Sequence, residues 1–462
     1  MRDEVKAARG APFCPEADTL CPQEVHRLLD IFAAAGVGAY PVGGCVRDAL
    51  MGRVPHDWDV TVTCPPEQTV ALCEAAGLQT IPTGIAHGTV TVLVPGEAGR
   101  MPLECTTCRT EEGYSDGRHP DRVTFSDRLE DDLSRRDFTI NAMAVERDEA
   151  HRFHLIDCFG GLADLRAGVI RCVGEPERRL REDALRVLRG VRFAVRLGFE
   201  PEPDTAAALC RCAEGLTRIS GERVREELRG ILCSPDPDRG VRMLFSLGMW
   251  PHILPHPPTA GLRLAERGGF AAPCGGSGDR SGDPFPTRLA ALLFDMEEPA
   301  LTADLARLKL SREEETRTRA RLSLRDYVPT AQIPLPEAAR RLRAECGREA
   351  IPALEVARGY AAMQEAGTST FPQDAMQKYP QHDPWDDLIR QVALSEEDRE
   401  PVTVTELALD GRALISLGVP PGREVGRVLS CLLEAVLCDP ARNTPSALTA
   451  FLREHTEYVE LP

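Results

Sequence analysis

Residues 39–63 read Ala39-Tyr-Pro-Val-Gly-Gly-Cys-Val-Arg-Asp-Ala-Leu-Met-Gly-Arg-Val-Pro-His-Asp-Trp-Asp-Val-Thr-Val-Thr63. The pattern predicts a short strand, a Gly43-Gly44 turn, a helix over about Val46 to Met51 ended by Gly52, and a second strand. Glycines at 43 and 44 let backbone approach a ligand with no Cβ in the way. The helix N-terminus offers N–H groups to a phosphate, and Arg47 adds a fixed positive charge. From Asp57 to Thr63 the alternation is that of a strand, so the carboxylates of Asp57 and Asp59 are expected on one side. Two acids so placed repel each other unless a cation lies between them. A pair of Mg²⁺ ions bridging a nucleoside triphosphate satisfies that arrangement.

Separately these parts say little, since Gly-Gly usually marks a turn and Asp-x-Asp a solvated edge. Joined as Gly-Gly-x-Val-Arg-Asp, with Asp-x-Asp nine residues after Asp48, they resemble the signature of the DNA polymerase beta nucleotidyltransferase superfamily. The branch resembled is that of class II tRNA nucleotidyltransferases (CCA-adding enzymes) and bacterial poly(A) polymerases. Arg135-Arg-Asp-Phe-Thr-Ile-Asn-Ala142 resembles the second motif of that family and Asp157–Arg166 the third, a turn that ends the sheet. Glu182-Asp183-x-x-Arg186 resembles its base-selecting motif, and Ile219–Leu232 its fifth, a neck-stabilising segment.

Composition sets the outer bounds. The chain has 462 residues, enough for about three domain-sized units. Its formal charge of −17 argues against non-specific binding along a duplex. RNA binding then requires that basic residues be gathered in one cleft. No run of eighteen apolar residues occurs and the first residues lack a signal-peptide core, so a soluble, cytoplasmic protein with no membrane contact is expected. The sixteen cysteines have neither disulfide-framework nor zinc-ribbon spacing, and Cys105 and Cys108 read as reduced strand thiols.

Along the chain, residues 1–21 read as a loose arm and Pro22–Ala35 as an amphipathic helix. Pro65–Ala76 is a second helix, Gly84–Val94 a glycine-bracketed turn feeding a strand, and Met101–Thr107 a strand carrying Glu104. Glu104 is a candidate third carboxylate if its strand lies beside that of Asp59; the alternative is a rim glutamate. His87, within His-Gly-Thr, reads as structural rather than as a base. Residues 110–122 have no apolar period and read as a mobile loop. The fold class expected is α+β: a mixed-sheet head over residues 22–148, a helical neck over 149–250, a Pro/Gly-rich linker over 251–286, and a helical body and tail over 287–462. At Thr287–Met296 related proteins carry a His-Asp phosphohydrolase motif; here Phe294 replaces the histidine, and structural helix without metal is expected.

The second informative stretch is Arg179–Leu197, read as one helix. At 100° per residue Leu180, Val187, Leu188, Val191 and Val195 fall on one side, and Arg186, Arg189, Arg192 and Arg196 on the other. Asp183 borders both faces, so it reaches Arg186 at i,i+3. Few acids follow Asp183, so surplus positive charge is expected there for phosphates or bases. Arg186 only donates hydrogen bonds and ionised Asp183 only accepts them. Cytosine and adenine each present a ring acceptor beside an amino donor, which suits the pair. Uracil and guanine present the reverse, at roughly 1–3 kcal/mol per mismatch.

The resemblance implies addition of C, C and A to the 3′ end of tRNA from CTP and ATP, with Mg²⁺. Asp57 and Asp59 would hold the metal and, with Glu104 a possible helper, form the catalytic set. Gly43, Gly44 and Arg47 would cradle the triphosphate, Arg136, Arg189 and Arg192 would bind phosphate or sugar, and Asp183 with Arg186 would read the base. The rivals are a CC-only or A-only enzyme, a poly(A) polymerase, and a catalytically inactive RNA-binding module. No protein partner is evident from the sequence.

Overall fold

The structure, a computed structural model, describes residues 9–12, 21–97, 99–114, 120–270, 283–329, 332–367 and 384–455. The chain divides into two compact units, Met1–Asp236 with Met243–Pro257, and Pro237–Arg242 with Pro258–Pro462.

The first unit is built on an eight-stranded mixed sheet ordered β1-β10-β9-β2-β3-β6-β5-β4. These strands are β1 (Arg9–Pro12), β2 (Ala39–Val42), β3 (Asp59–Val62), β4 (Gln79–Gly84), β5 (Thr89–Gly96), β6 (Gly99–Thr107), β9 (Met143–Arg147) and β10 (Phe153–Asp157). Only β3 and β6 run parallel within it, and Asp59 lies directly beside Glu104 in their register. Alternation fixes which face is core. Val60, Val62, Val90, Val92, Val94, Leu103 and Cys105 are buried. Helices α1 (Gln23–Ala34) and α3 (Pro66–Ala75) pack against this half of the sheet, and α1 buries Val25, Leu28, Leu29 and Phe32 at helical spacing. The linking helix α2 is Gly44–Leu50.

Several expectations need correction. Residues 9–12 are an edge strand paired with β10 rather than loose arm. The sheet continues to Asp157, where the third motif was expected to end it, so the boundary at 148 leaves out its last strand. Strand β4 went unread because Pro82 interrupts it; an edge position tolerates that lost N–H. Residues 109–112 (β7) and 122–125 (β8) form an antiparallel hairpin instead of a loop, while 115–119 lie outside the described residues.

Helix α4 (Leu129–Ser134) covers part of β3, and α5 (Gly161–Ala167) follows the sheet. The expected single helix over 179–197 is two. Helix α6 (Pro176–Glu182) ends at Asp183, which has φ −137° and ψ 107°, and α7 (Leu185–Leu197) starts afresh. Helices α8 (Pro203–Arg211) and α9 (Gly221–Leu232) complete this neck-like part. It is not wholly helical, because Val169–Ile170 pairs in parallel with Glu200–Pro201.

The second unit is helical in its described residues. Part of the expected Pro/Gly linker is the helix Thr259–Glu266, and residues 271–282 lie outside the described residues. The helix Phe285–Leu292 precedes Phe294, whose ring stacks on Tyr360 with centroids 3.8 Å apart. Helix Arg423–Cys438 ends where Arg340 donates to the carbonyls of Leu437 (2.6 Å) and Cys438 (3.0 Å). That satisfies groups a helix terminus leaves open. Among the described residues no helix is long and apolar enough to cross a membrane.

Candidate active site

The residues singled out from the sequence converge on one cavity of about 530 Å³ within the first unit. Gly44, Arg47, Asp57, Asp59, Arg136, Asp183, Arg186, Arg189 and Arg192 all line it. Its wall carries eight arginines against five aspartates, so a basic cleft exists in an acidic protein.

Its floor comes from the first motif. Gly43 has φ +81°, a conformation L side chains rarely adopt, and its N–H donates to the Met143 carbonyl at 3.0 Å. A Cβ built on Gly43 would lie 2.7 Å from Nη1 of Arg136. Glycine is therefore what allows Arg136 to cross the strand–helix turn. Arg47 is buried, donating to Asn141 Oδ1 at 2.6 Å and to Asp48 at 2.8 Å, so the second motif holds the first in place.

Asp59 opens β3, whereas Asp57 precedes the strand rather than sharing it as expected. Buried Trp58 between them turns both carboxylates toward solvent. Partial desolvation holds the Asp59 carboxyl above the ordinary aspartate value, and the charges of Glu104 and Asp57 add to this while Arg136 opposes it. Crowded acids of this kind are a donor set for a divalent cation. Among the described residues no group of three or more His, Cys, Asp or Glu is placed to hold a metal ion, so the donors offered are the two carboxylates of Asp57 and Asp59. Such a donor set fits a hard divalent cation that completes its shell with water and substrate phosphates.

Residues not singled out beforehand do much of the positioning. Fully buried Asp132 accepts from Arg135 (2.6 Å), from Arg136 (3.0 Å) and from the Thr61 hydroxyl (3.2 Å), which ties both arginines to β3. Although burial alone would raise it, the Asp132 carboxyl is held low by Arg136 and Arg135. The only advance sign of Asp132 was an acid three and four residues before an Arg-Arg pair.

The arginine face of α7 is also more neutralised than expected. Arg189 pairs with Asp137 (2.7 Å), Arg192 with Glu227 of α9 (2.7 Å) and Arg186 with Glu182 (2.7 Å). The guanidinia of Arg47, Arg189 and Arg192 gather within 5.4 Å of the Phe193 ring centroid. The side chains of Asp183 and Arg186 do not pair with each other, although the Arg186 N–H donates to the Asp183 carbonyl at 2.9 Å. Asp183 accepts from Arg223 (2.9 Å) and from the Leu185 N–H (3.1 Å). Arg186 donates through Nη1 to the Arg179 carbonyl and Glu182, and through Nη2 to the Arg135 carbonyl. Of its five N–H groups those bonds use three, which leaves two for a ligand.

Glu104 stands beside Asp59, while His87 ends a single 3₁₀ turn and its carbonyl accepts from Arg109. Cys105 and Cys108 are buried free thiols, pushed well up by burial.

Asp137 is buried, and burial alone would raise its carboxyl, but Arg189 and Arg186 outweigh that and bring it to about 2. A depressed carboxyl stabilises the fold above its unfolded value near 4, and this is lost as pH falls toward 2. Acid unfolding of Asp137→Asn should therefore run flatter than wild type between about pH 4 and pH 2, by on the order of 2 kcal/mol. Parallel profiles would break the Asp137–Arg189 assignment.

Comparison with known proteins bears on this geometry. Residues 39–171 match the Poly A polymerase head domain, and residues 198–258 a probable RNA and SrmB-binding site of polymerase A. The chain is 34% identical over 428 residues to the CCA-adding enzyme of Lactobacillus delbrueckii subsp. bulgaricus, covering 92% of this chain and 96% of that one. It is 33% identical over 429 residues to that of Levilactobacillus brevis, covering 92% and 95%. A crystal structure of the Bacillus stearothermophilus CCA-adding enzyme in complex with CTP superposes with a TM-score of 0.71 at 30% identity, covering 94% of this chain and 97% of the other. Matching its relatives over nearly their whole length, this chain belongs to the family of CCA-adding enzymes, and is a nucleotidyltransferase.

Proposed function

We propose that the protein adds C, C and A in turn to the 3′ end of tRNA, using CTP and ATP and releasing pyrophosphate without a nucleic-acid template. What carries the reading is that the cavity holding the Asp57/Asp59 pair also holds an arginine with two N–H groups unspent, beside an aspartate fixed as an acceptor. Those two donors suit O2 and N3 of cytosine or N1 of adenine, while Asp183 accepts from the exocyclic amine. Arg136, Arg189 and Arg192 would bind phosphate or sugar, with Gly43, Gly44 and Arg47 shaping the floor.

Family members generally use divalent metals. In this chain Asp57 and Asp59 would hold Mg²⁺, with Glu104 as helper. Bound there, the ion would make the RNA 3′-hydroxyl more acidic and offset charge on the departing pyrophosphate. We assign the sheet-bearing residues up to Asp157 as the catalytic head and the elements that follow, to about residue 250, as the neck carrying the base-reading residues. Residues 287–462 would grip the tRNA by shape and phosphate contacts, and the reaction would run in the cytoplasm.

The test uses tRNA ending at the discriminator base, after C, and after CC, with each NTP singly and together. CTP alone should extend the first two ends, ATP the third, and growth should stop after A. Long A-tails would favour the poly(A) polymerase reading, extension by only C or only A a partial enzyme, and no extension an inactive RNA-binding module.

A further inference from the structure

Seven of the eight arginines in the cleft wall are ion-paired, among them Arg47 with Asp48 at 2.7 Å, Arg189 with Asp137 and Arg192 with Glu227. The eighth, Arg196, is exposed and forms no hydrogen bond or ion pair with any described residue. It lies one turn after Arg192 on α7, and like charges at i,i+4 cost a helix stability. Burial foremost lowers the Arg192 guanidinium, and the charges of Arg189 and Arg196 lower it further while Glu227 opposes them. A charge that burdens its neighbour and has no partner in the fold is placed for a ligand.

Its place along α7 indicates which atoms of the substrate it meets. Asp183 and Arg186 flank the start of the helix. The triphosphate floor reaches the same helix further on, where Arg47 lies over the Phe193 ring at 5.4 Å from its centroid. Arg196 is three residues past Phe193 and ten past Arg186, roughly 15 Å along the axis from the base-reading end. A nucleotide lying along this wall with its base at that end brings its last phosphate to Arg196. Resting on the function proposed above, we infer that Arg196 binds the γ-phosphate of the incoming nucleotide and makes the site selective for triphosphates over diphosphates. The γ-phosphate has a second ionisable oxygen that the inner two phosphates lack, so it brings the most charge. A guanidinium stays charged at any working pH and meets two phosphate oxygens at once. The paired arginines offer the substrate hydrogen bonds, whereas Arg196 offers a charge that the fold has not already offset.

Arg196→Gln should weaken CTP binding about tenfold, the scale of one charge-assisted contact, while binding of CDP and CMP, measured with Mg²⁺ and without RNA, stays at the wild-type value. Arg196→Lys should recover part of the loss. The glutamine variant should melt no lower than wild type, bind tRNA equally well and keep the CTP/UTP ratio of kcat/KM. Equal wild-type affinity for CTP and CDP, an equal loss for both in the variant, or no loss at all overturns the inference. Weakened tRNA binding with CTP binding unchanged also overturns it, and puts the charge on an RNA phosphate instead. Wild-type enzyme that prefers CTP to CDP, loses that preference in the variant, yet extends no tRNA end supports the inference and overturns the parent reading.

Discussion

Asp59→Asn should lower the rate of CMP addition at least ~10²-fold, the scale seen when one charge-stabilising group is removed from an active site. The same change should raise the melting temperature of the metal-free protein. The sign follows from the direction of the shift. Desolvation, Glu104 and Asp57 place the Asp59 carboxyl above its ordinary value, so its ionised form is disfavoured in the fold relative to the unfolded chain. An amide removes that cost at neutral pH. Added Mg²⁺ should raise the wild-type melting temperature and leave that of the variant where it was. Near-normal turnover, or an equal response to Mg²⁺, would remove Asp59 from the metal site. Opposite movements of stability and activity are expected where a site is strained for its task.

Asp183→Asn should erode the choice of C over U. An amide keeps one acceptor but adds an N–H₂ that uracil O4 accepts. The opposed pair that cost roughly 1–3 kcal/mol is relieved, so the CTP/UTP ratio of kcat/KM should fall about tenfold. Arg223→Met should push the same way more weakly, because Asp183 then loses its 2.9 Å partner while the base contact stays possible. A ratio unmoved by Asp183→Asn would mean this side chain does not read the base.

How far the sequence alone carries can be judged from these same residues. Gly44, Asp57, Asp59 and Arg136 sit in contiguous motifs, and local pattern sufficed to bring them to one cavity. Asp59 beside Glu104 required a guess about strand neighbours 45 residues apart, which no local pattern supplies. The break at Asp183 was hidden because the residues on either side are good helix formers; the tertiary bond from Arg223 and the local bond from the Leu185 N–H, both accepted by the Asp183 carboxylate, override propensity there. Two of the acids that neutralise α7, Asp137 and Glu227, lie 52 and 35 residues away from their arginines, so counting charges along the helix overstated its surplus. In the β7–β8 hairpin β7 is wholly polar, and β8 alternates over only four residues, with Val123 and Phe125 on one face, too short a run to stand out. The second unit offered helices but no chemistry, since its buried groups, such as Glu349 held by Arg321 at 2.8 Å, serve packing.

The crossing of Arg136 over Gly43 limits how this enzyme can drift. Any added carbon at position 43 is strained by the φ of +81° and presses on a guanidinium that Asp132 holds from behind, so Arg136 must shift on its partner to admit it. Selection for altered nucleotide preference would find that position closed. The routes left open run through the neck, where Asp183 and its Arg223 brace move without disturbing the floor.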